Sequence, residues 1–422
     1  MKNNSPDLGP FAATIGIDWA DQKHDLWIQP SDGSKPEHRR LEQTPEAVHN
    51  WVAKIRDRFE GRKVAIGIET SRGALISALQ NYDFLVIFPI NPLTLANYGT
   101  AFKVSGAKDD PNDSRLAEEI IRLHPENLRP LKLDTELTRT IGTLSEDRRQ
   151  FVDQRTGVVN QLHSHLKTYY PLVEDLFEDM TLPICPAFLL RWPSLASLQK
   201  ATLADLREFF FGHNSRRTEL MDKRLKAIKS AKALTTDVSI LKPAVVKTSG
   251  LAGMLQILHS TIKELDQMLK ESMDLHPDAF IFRSFPGAGP VMAPRILFAF
   301  GTDRDRFESA QAVQELYGIA PVKKQSGQMK VVHMRQRCPK FGRQSFHENA
   351  GQAAKSEPWA KAFYDQQRGR KKGHHTSVRS LSFKLIRIYY RCWKDKTTYS
   401  SEHYLAGLKK QGSPLSKILT PE

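Results

Sequence analysis

In the first part of the chain, short apolar runs alternate with stretches whose apolar positions recur every three or four residues. Ala12–Asp18 (Ala-Ala-Thr-Ile-Gly-Ile-Asp) reads as a buried strand closed by an acid, and His24–Gln29 alternates like its hairpin partner. From about Thr44 a helix is predicted, with Val48, Val52, Ile55 and Phe59 on one face. Lys63–Glu69 is a second apolar strand, again closed by an acid; Ser71–Asn81 reads as helix and Phe84–Phe88 as a third central strand. Strands alternating with helices predict an α/β unit, a mixed sheet covered by helices.

The stretch from Lys108 to Glu119 crowds Asp109, Asp110 and Asp113 ahead of a periodic run through Leu116, Ile120 and Leu123. Read as a helix start, Asp110 is the N-cap, Pro111 occupies the first helical position and Asp113 the third. That spacing puts the Asp110 and Asp113 carboxylates on one face. Two uses fit: a cap favoured by the helix dipole, or a pair sharing a cation.

The pattern then turns helical. Between Glu136 and Tyr169, Leu137, Leu144, Phe151 and Val158 recur every seven residues, with Ile141 and Leu162 on the alternate seam and Arg148 and Arg155 in its other positions. Sevenfold spacing predicts a coiled-coil arm and hence a homo-oligomer; an antiparallel partner helix in the same chain would satisfy it equally. Pro171, Pro183, Pro186 and Pro193 interrupt the next stretch, and helical runs recur at about 202–235 and 251–273. Phe285–Ala293 carries Gly287 and Gly289 ahead of a helix. They resemble the turn of helix-hairpin-helix modules, which grip phosphate with backbone N–H groups; a plain packing corner is the alternative. Leu381–Trp393 reads as a last core helix.

Length and charge sharpen this. A chain of 422 residues can fill more than one core. The expected organisation is a tail (1–10), an α/β domain (11–130), a helical region with an insert (131–279), an all-α C-terminal domain (280–400) and a second tail (401–422). The net charge is +15. Residues 323–396 hold 19 Lys and Arg against 4 Asp and Glu, so this segment accounts for the entire excess. A polyanionic partner is predicted, with a solvated basic face as the alternative. Its candidate contacts are Lys323, Lys324, Lys330, Arg335, Arg337, Lys340 and Arg343, then Arg368, Arg370, Lys371 and Lys372, together with Gly287 and Gly289. Cys185, Cys338 and Cys392 stand apart, which argues against disulfides and structural zinc and for a reducing compartment. With no apolar N-terminal run and no segment of membrane-spanning length, a soluble cytoplasmic protein is expected.

Two central strands each closed by a carboxylate, followed by a helix that begins with two more, have a chemical use. Asp18, Glu69, Asp110 and Asp113 converging on one sheet edge would repel one another unless divalent cations held them ionised. Hard oxygen ligands favour Mg²⁺ or Mn²⁺, and a pair of such ions clamps the attacking and leaving oxygens of a phosphodiester. A ribonuclease-H-like nuclease domain is the reading that joins pattern and chemistry.

Ile15-Gly-Ile-Asp18, Glu69-Thr-Ser-Arg-Gly and Lys108-Asp-Asp-Pro-Asn-Asp113-Ser together resemble the Asp-Glu-Asp-Asp signature of the insertion sequence 110 family of transposases, which includes the related 1111 group. The resemblance covers 12–125 and 280–400 well and the middle only in character. It implies a fold similar to the RuvC-like Holliday-junction resolvases and a bacterial or archaeal recombinase. Its partners would be donor DNA, target DNA and a bridge RNA that guides the choice of both. It also implies a dimer assembling to a tetramer. In the family a Ser-Gly pair after a Gly-Ile-x-Pro-like motif carries the nucleophile; Tyr317-Gly-Ile-Ala-Pro-Val-Lys-Lys-Gln-Ser326-Gly puts Ser326 there, in an expected loop. That assignment rests on the resemblance, since a Ser beside Gly is ordinarily a turn residue. The family has Ser or Thr where this chain has Asp109, so Asp109 competes with Asp110, to which spacing assigns the site. Two other readings are a metal-dependent nuclease or junction resolvase using water, and a non-catalytic nucleic-acid-binding scaffold.

Overall fold

Strands β1 (Ala13–Asp18), β2 (Lys23–Pro30), β3 (Glu37–Glu42), β4 (Val64–Ile68) and β5 (Leu85–Pro89) form one sheet in the order β3-β2-β1-β4-β5. The structure is a computed structural model and describes residues 11–70, 72–102, 110–327, 329–413 and 415. The chain divides into two units, one running to Leu133 and the other beginning at Asp134.

In the first unit β1 pairs antiparallel with β2 and parallel with β4, and β5 continues the parallel side. Parallel neighbours need crossovers. Helix α1 (Pro45–Arg58) lies between β3 and β4 in the chain, and α2 (Ala74–Leu79) between β4 and β5. They are followed by α3 (Pro92–Phe102) and α4 (Asp110–Leu123). Ile15, Ile17, Ile66 and Ile68 pack with Val48, Val52 and Ile55 of α1 and with Leu75, Ile76 and Leu79 of α2. Ala65 and Phe88 pack instead with Leu116, Ala117, Ile120 and Ile121 of α4. The sheet is thus covered on both faces, as the alternation predicts. Leu123, expected on the buried face of α4, is 44% exposed; Ala117 and Ile121 carry that face instead. Strand β3 escapes sequence reading because it is an edge strand of charged residues in which only Leu41 is buried.

The second unit is built on two long antiparallel helices, α5 (Glu136–Leu166) and, later in the chain, α11 (Val238–Leu275). Thr138 Oγ1 meets His276 Nε2 at 3.0 Å near one end, Arg148 binds Asp266 midway, and Tyr169 meets Thr248 at 2.6 Å beyond the other end. The heptad seam of α5 (Ile141, Leu144, Val158, Leu162) is buried within the unit, so the helix that meets it is α11 of the same chain. Between them α6 (Leu172–Leu176), α7 (Ile184–Arg191), α8 (Leu195–Gln199), α9 (Leu203–Gly212) and α10 (Thr218–Ser230) close a core around Tyr170, Phe188 and Phe210. The run expected at 202–235 breaks after Gly212, where Asn214 takes a left-handed φ of 60°. Conversely α11 begins at Val238, well before 251, and carries Pro243 inside the helix, one turn beyond the position where its missing N–H would cost nothing.

Beyond α11 come α12 (Ala279–Arg283), α13 (Met292–Phe300) and α14 (Ala310–Leu316). A hairpin comes next, β6 (Val322–Ser326) and β7 (Met329–His333), and then α15 (Lys340–Ser356), α16 (Pro358–Gly369), α17 (His374–Asp395) and α18 (Ser401–Lys410). Their core holds Phe282, Phe300, Phe346, Trp359, Tyr389 and Trp393. Trp359 also lies 4.5 Å from the Tyr404 ring of α18, a helix in the span read as a tail. Among the described residues no helix is long and apolar enough to cross a membrane.

Candidate active site

Parallel pairing sets Ile17 of β1 beside Ile68 of β4, so Asp18 and Glu69 follow at neighbouring strand ends. Side chains alternate along a strand. Ile15 and Ile17 face α1 and α2, while Thr14 and Gly16 face α4, and the same alternation carries Asp18 to the α4 side. Ala65 and Gly67 also face α4, which extends that side to Glu69. Both acids are half-buried.

Helix α4 runs antiparallel over β1. Thr14 Oγ1 donates to Glu118 Oε1 at 2.6 Å. A Cβ on Gly16 would collide with the Ser114 carbonyl oxygen and reach 2.5 Å from the Glu118 amide nitrogen; one on Gly67 would come within 2.8 Å of the Ala117 carbonyl oxygen. Both glycines are therefore what lets the helix backbone lie on the strands. Two strand residues advance ~6.6 Å, and four helical residues advance ~6 Å. The next step along β1, to Asp18, is matched by the next turn of α4 toward its start at Asp110. The amino end of α4, with half-buried Asp113 in its first turn, thus lies at the carboxyl edge of β1 and β4. Asp109 and the side chain of Asp110 lie outside the described residues. Among the described residues, no three Asp, Glu, His or Cys side chains close into a group able to hold an ion.

Sequence reasoning did not single out Glu118. It is 1% exposed and accepts hydrogen bonds from Thr14 and, at 2.7 Å, from Arg122 Nε. Burial pushes its carboxyl above the usual range, opposed by those two partners. The available signal was its place: Ser114, Ala117, Glu118 and Ile121 share one stripe of α4, and a carboxylate in a buried stripe demands partners.

In the second unit, Gly287 and Gly289 lie between α12 and α13. Gly287 has φ 70° and packs on α15, where a Cβ would sit 2.5 Å from the Ala353 amide nitrogen. Gly287 thus packs closely on α15, whereas an added carbon on Gly289 would meet open space, and both residues line one cleft. Ser326 ends β6, paired with Met329 across a short connection that starts with Gly327 at φ 57°. Its backbone belongs to a hairpin rather than to an irregular loop, because Gly327 supplies the positive φ a tight turn needs. The side chains of Ser326, Lys323, Lys324 and Lys330 lie outside the described residues. Arg337 and Lys340 are exposed, and half-buried Arg343 donates from Nη1 to the Arg335 carbonyl at 3.3 Å. At the end of α16, Arg368 Nη1 donates to the Lys372 carbonyl at 2.9 Å and Lys372 Nζ to Gln367 Oε1 at 2.7 Å. Those two cations close a helix terminus, while Arg370 and Lys371 are exposed.

Residues 15–171 match the profile of DEDD-type IS110 transposases, and residues 279–365 match that of the IS116/IS110/IS902 transposase family, together more than half of the chain. The putative transposase of the IS117 mini-circle of Streptomyces coelicolor is 29% identical over 93% of this chain and 96% of its own. An IS116 protein of Streptomyces clavuligerus is 24% identical over 92% of this chain and 96% of its own. An IS110 protein of Streptomyces coelicolor is 25% identical over 70% of this chain and 73% of its own. Transposases act on DNA, and a DEDD domain implies dependence on a divalent metal. The first profile spans the sheet edge bearing Asp18, Glu69 and Asp113, the second spans the β6–β7 hairpin, and the chain belongs to the IS110 family of insertion-element transposases.

Proposed function

We propose that this transposase cuts and rejoins DNA by attack of Ser326 on a scissile phosphate, with donor and target chosen by a bridge RNA. Asp18, Glu69, Asp110 and Asp113 act as the metal ligands of a ribonuclease-H-like domain. The observation that carries the reading is the sheet edge, where Asp18 and Glu69 end adjacent parallel strands and α4 starts with Asp110 and Asp113. Hard carboxylate oxygens suit Mg²⁺ or Mn²⁺, which would polarise the phosphodiester and favour the ionised serine. Ser326 Oγ gives up its proton and bonds to phosphorus. The P–O3′ bond breaks, O3′ takes a proton, and the DNA 5′ end is left as a phosphoserine diester beside a free 3′ hydroxyl. The basic C-terminal surface, with Gly287 and Gly289 of the helix-hairpin-helix-like corner, holds the nucleic acids. The protein works in the cytoplasm as a dimer that assembles to a tetramer, with the α5–α11 pair as its coiled-coil arm.

Trapping and mapping the covalent adduct tests this. Wild type should yield a nucleotide-bearing peptide containing Ser326, and Ser326→Ala should give neither adduct nor strand transfer. A nucleotide on another residue, or full recombination by the alanine variant, would end the serine mechanism in favour of a water-using nuclease.

A further inference from the structure

A cleft of about 560 Å³ lies in the second unit, walled by α5, the start of α13, and α15. Arg148, Arg149, Arg295 and Lys355 line it against one carboxylate, Glu348. Arg148 is bound to Asp266, and Arg149 to Asp153 and Glu348. What distinguishes the cleft is what lies deeper. Arg295 is 3% exposed, its Nε donating to Ser345 Oγ at 2.9 Å, its Nη1 to Glu348 Oε2 at 2.6 Å, and its plane 4.8 Å from the Phe341 ring. Its Nη2 is buried with no hydrogen-bond partner in the protein. Ser145, on α5 and also 3% exposed, has an Oγ in the same condition.

Two buried donors without a partner in the protein line one cleft, and a ligand that brings acceptors would satisfy both. Arg295 is held by three contacts, so little further ordering of its side chain is needed on binding. The amino end of the nine-residue helix α13 also borders the cleft, through Gly289, Val291 and Met292; the Met292 and Ala293 amides already donate to the Gly289 carbonyl, so it contributes the helix dipole rather than free N–H groups. Exposed Lys355 makes no ion pair among the described residues. A guanidinium N–H, a hydroxyl, an ammonium and a helix amino end call for an anion with several acceptor oxygens around one centre. Helix α15 also belongs to the basic segment that carries the chain's excess charge.

We infer that this cleft seats a backbone phosphodiester of a nucleic acid, with Arg295 Nη2 and Ser145 Oγ as its buried donors and Lys355 at its rim. The inference rests on the proposed nucleic-acid function and gives it a defined subsite, formed by residues that the sequence pattern does not single out.

Full-length protein titrated with labelled duplex DNA, and separately with duplex RNA, across a KCl series tests it. Ser145→Ala removes a hydroxyl that bonds nothing in the protein, so its melting temperature should match wild type while its affinity falls about tenfold. Lys355→Gln should take about 0.9 off the log–log salt slope on duplex DNA. A loss on the DNA arm, the RNA arm or both supports the site and says whose backbone fills it. Wild-type affinity and slope for the Ser145→Ala/Lys355→Gln double variant on both probes would overturn the subsite and leave the transposase reading standing. Wild-type protein that binds neither probe would overturn both.

Discussion

Thr14 on β1 and Glu118 on α4, 104 residues apart in sequence, share a 2.6 Å hydrogen bond inside the core of the first unit, where they are 2% and 1% exposed. The bond fixes how far α4 slides along β1. Because α4 runs against the strand, that register also fixes where Asp113 falls relative to the strand end at Asp18. A buried polar pair some distance from the acids thereby sets the geometry of the edge they occupy.

Glu118 should therefore leave a signature in the pH dependence of stability. Burial raises its folded pKa above the ordinary 4.5, outweighing Thr14 and Arg122. As pH rises past 4.5 the unfolded chain releases the proton first while the folded chain retains it. Stability from this group is thus full below 4.5 and is lost through the window between 4.5 and the raised folded value. Glu118→Gln has no such titration. Urea unfolding should show wild type losing stability relative to the glutamine variant as pH climbs above 4.5, and a gain instead would mean that the folded pKa is depressed.

Gly16→Ala should cost about 3 kcal/mol, since the added carbon meets backbone atoms of Ser114 and Glu118 that cannot rotate away. Gly289→Ala, with nothing within 4 Å of the new carbon, should stay within about 1 kcal/mol of wild type. Chemical denaturation of both variants separates the glycine that seats α4 from one that merely lines a cleft.

Such contrasts mark the limit of what the sequence makes readable. Strands β1 and β4 were legible because both are buried on two faces, which compresses their sequence into apolar runs ending at Asp18 and Glu69. Helix α4 was legible from its cluster of acids, but not its rotation: periodicity alone favoured Leu123, and the stripe through Glu118 is fixed by Thr14, a partner 104 residues away. Strand β3 and the β6–β7 hairpin were hidden for opposite reasons. The first is a charged edge, and the second is polar and lysine-rich, with little apolar alternation to betray it. The GxG at Gly287 suggested phosphate, and both its glycines line the cleft, although the close packing of Gly287 on α15 had no signal in the sequence. The buried Arg295 carried no motif at all.

Asp18→Asn and Asp113→Asn each remove one negative charge from the sheet edge without touching the basic surface. Strand cleavage in Mg²⁺ should fall by at least about a hundredfold, and excess chelator should do the same to wild type. Duplex binding without metal should change little, because phosphate contacts and ion ligands are different residues. Normal cutting by either variant would require the acid set to be reassigned, starting with Asp109.

The run after α16 should divide into two kinds of cation. Arg368 and Lys372 are engaged with the end of the helix, so neutralising them should act mainly on stability, by less than about 1 kcal/mol for exposed contacts of this type. Arg370 and Lys371 are exposed and make no ion pair among the described residues, which leaves both for phosphate. Lys371 has φ 59°, so asparagine, which tolerates the left-handed region, is the replacement that removes the charge with least strain. Arg370→Gln with Lys371→Asn should lower the log–log salt slope on duplex DNA by about 1.8, twice the single-contact value, at unchanged melting temperature. If the slope falls only when Arg368 and Lys372 are neutralised, the two pairs have exchanged roles; if it never falls, the run is only solvated.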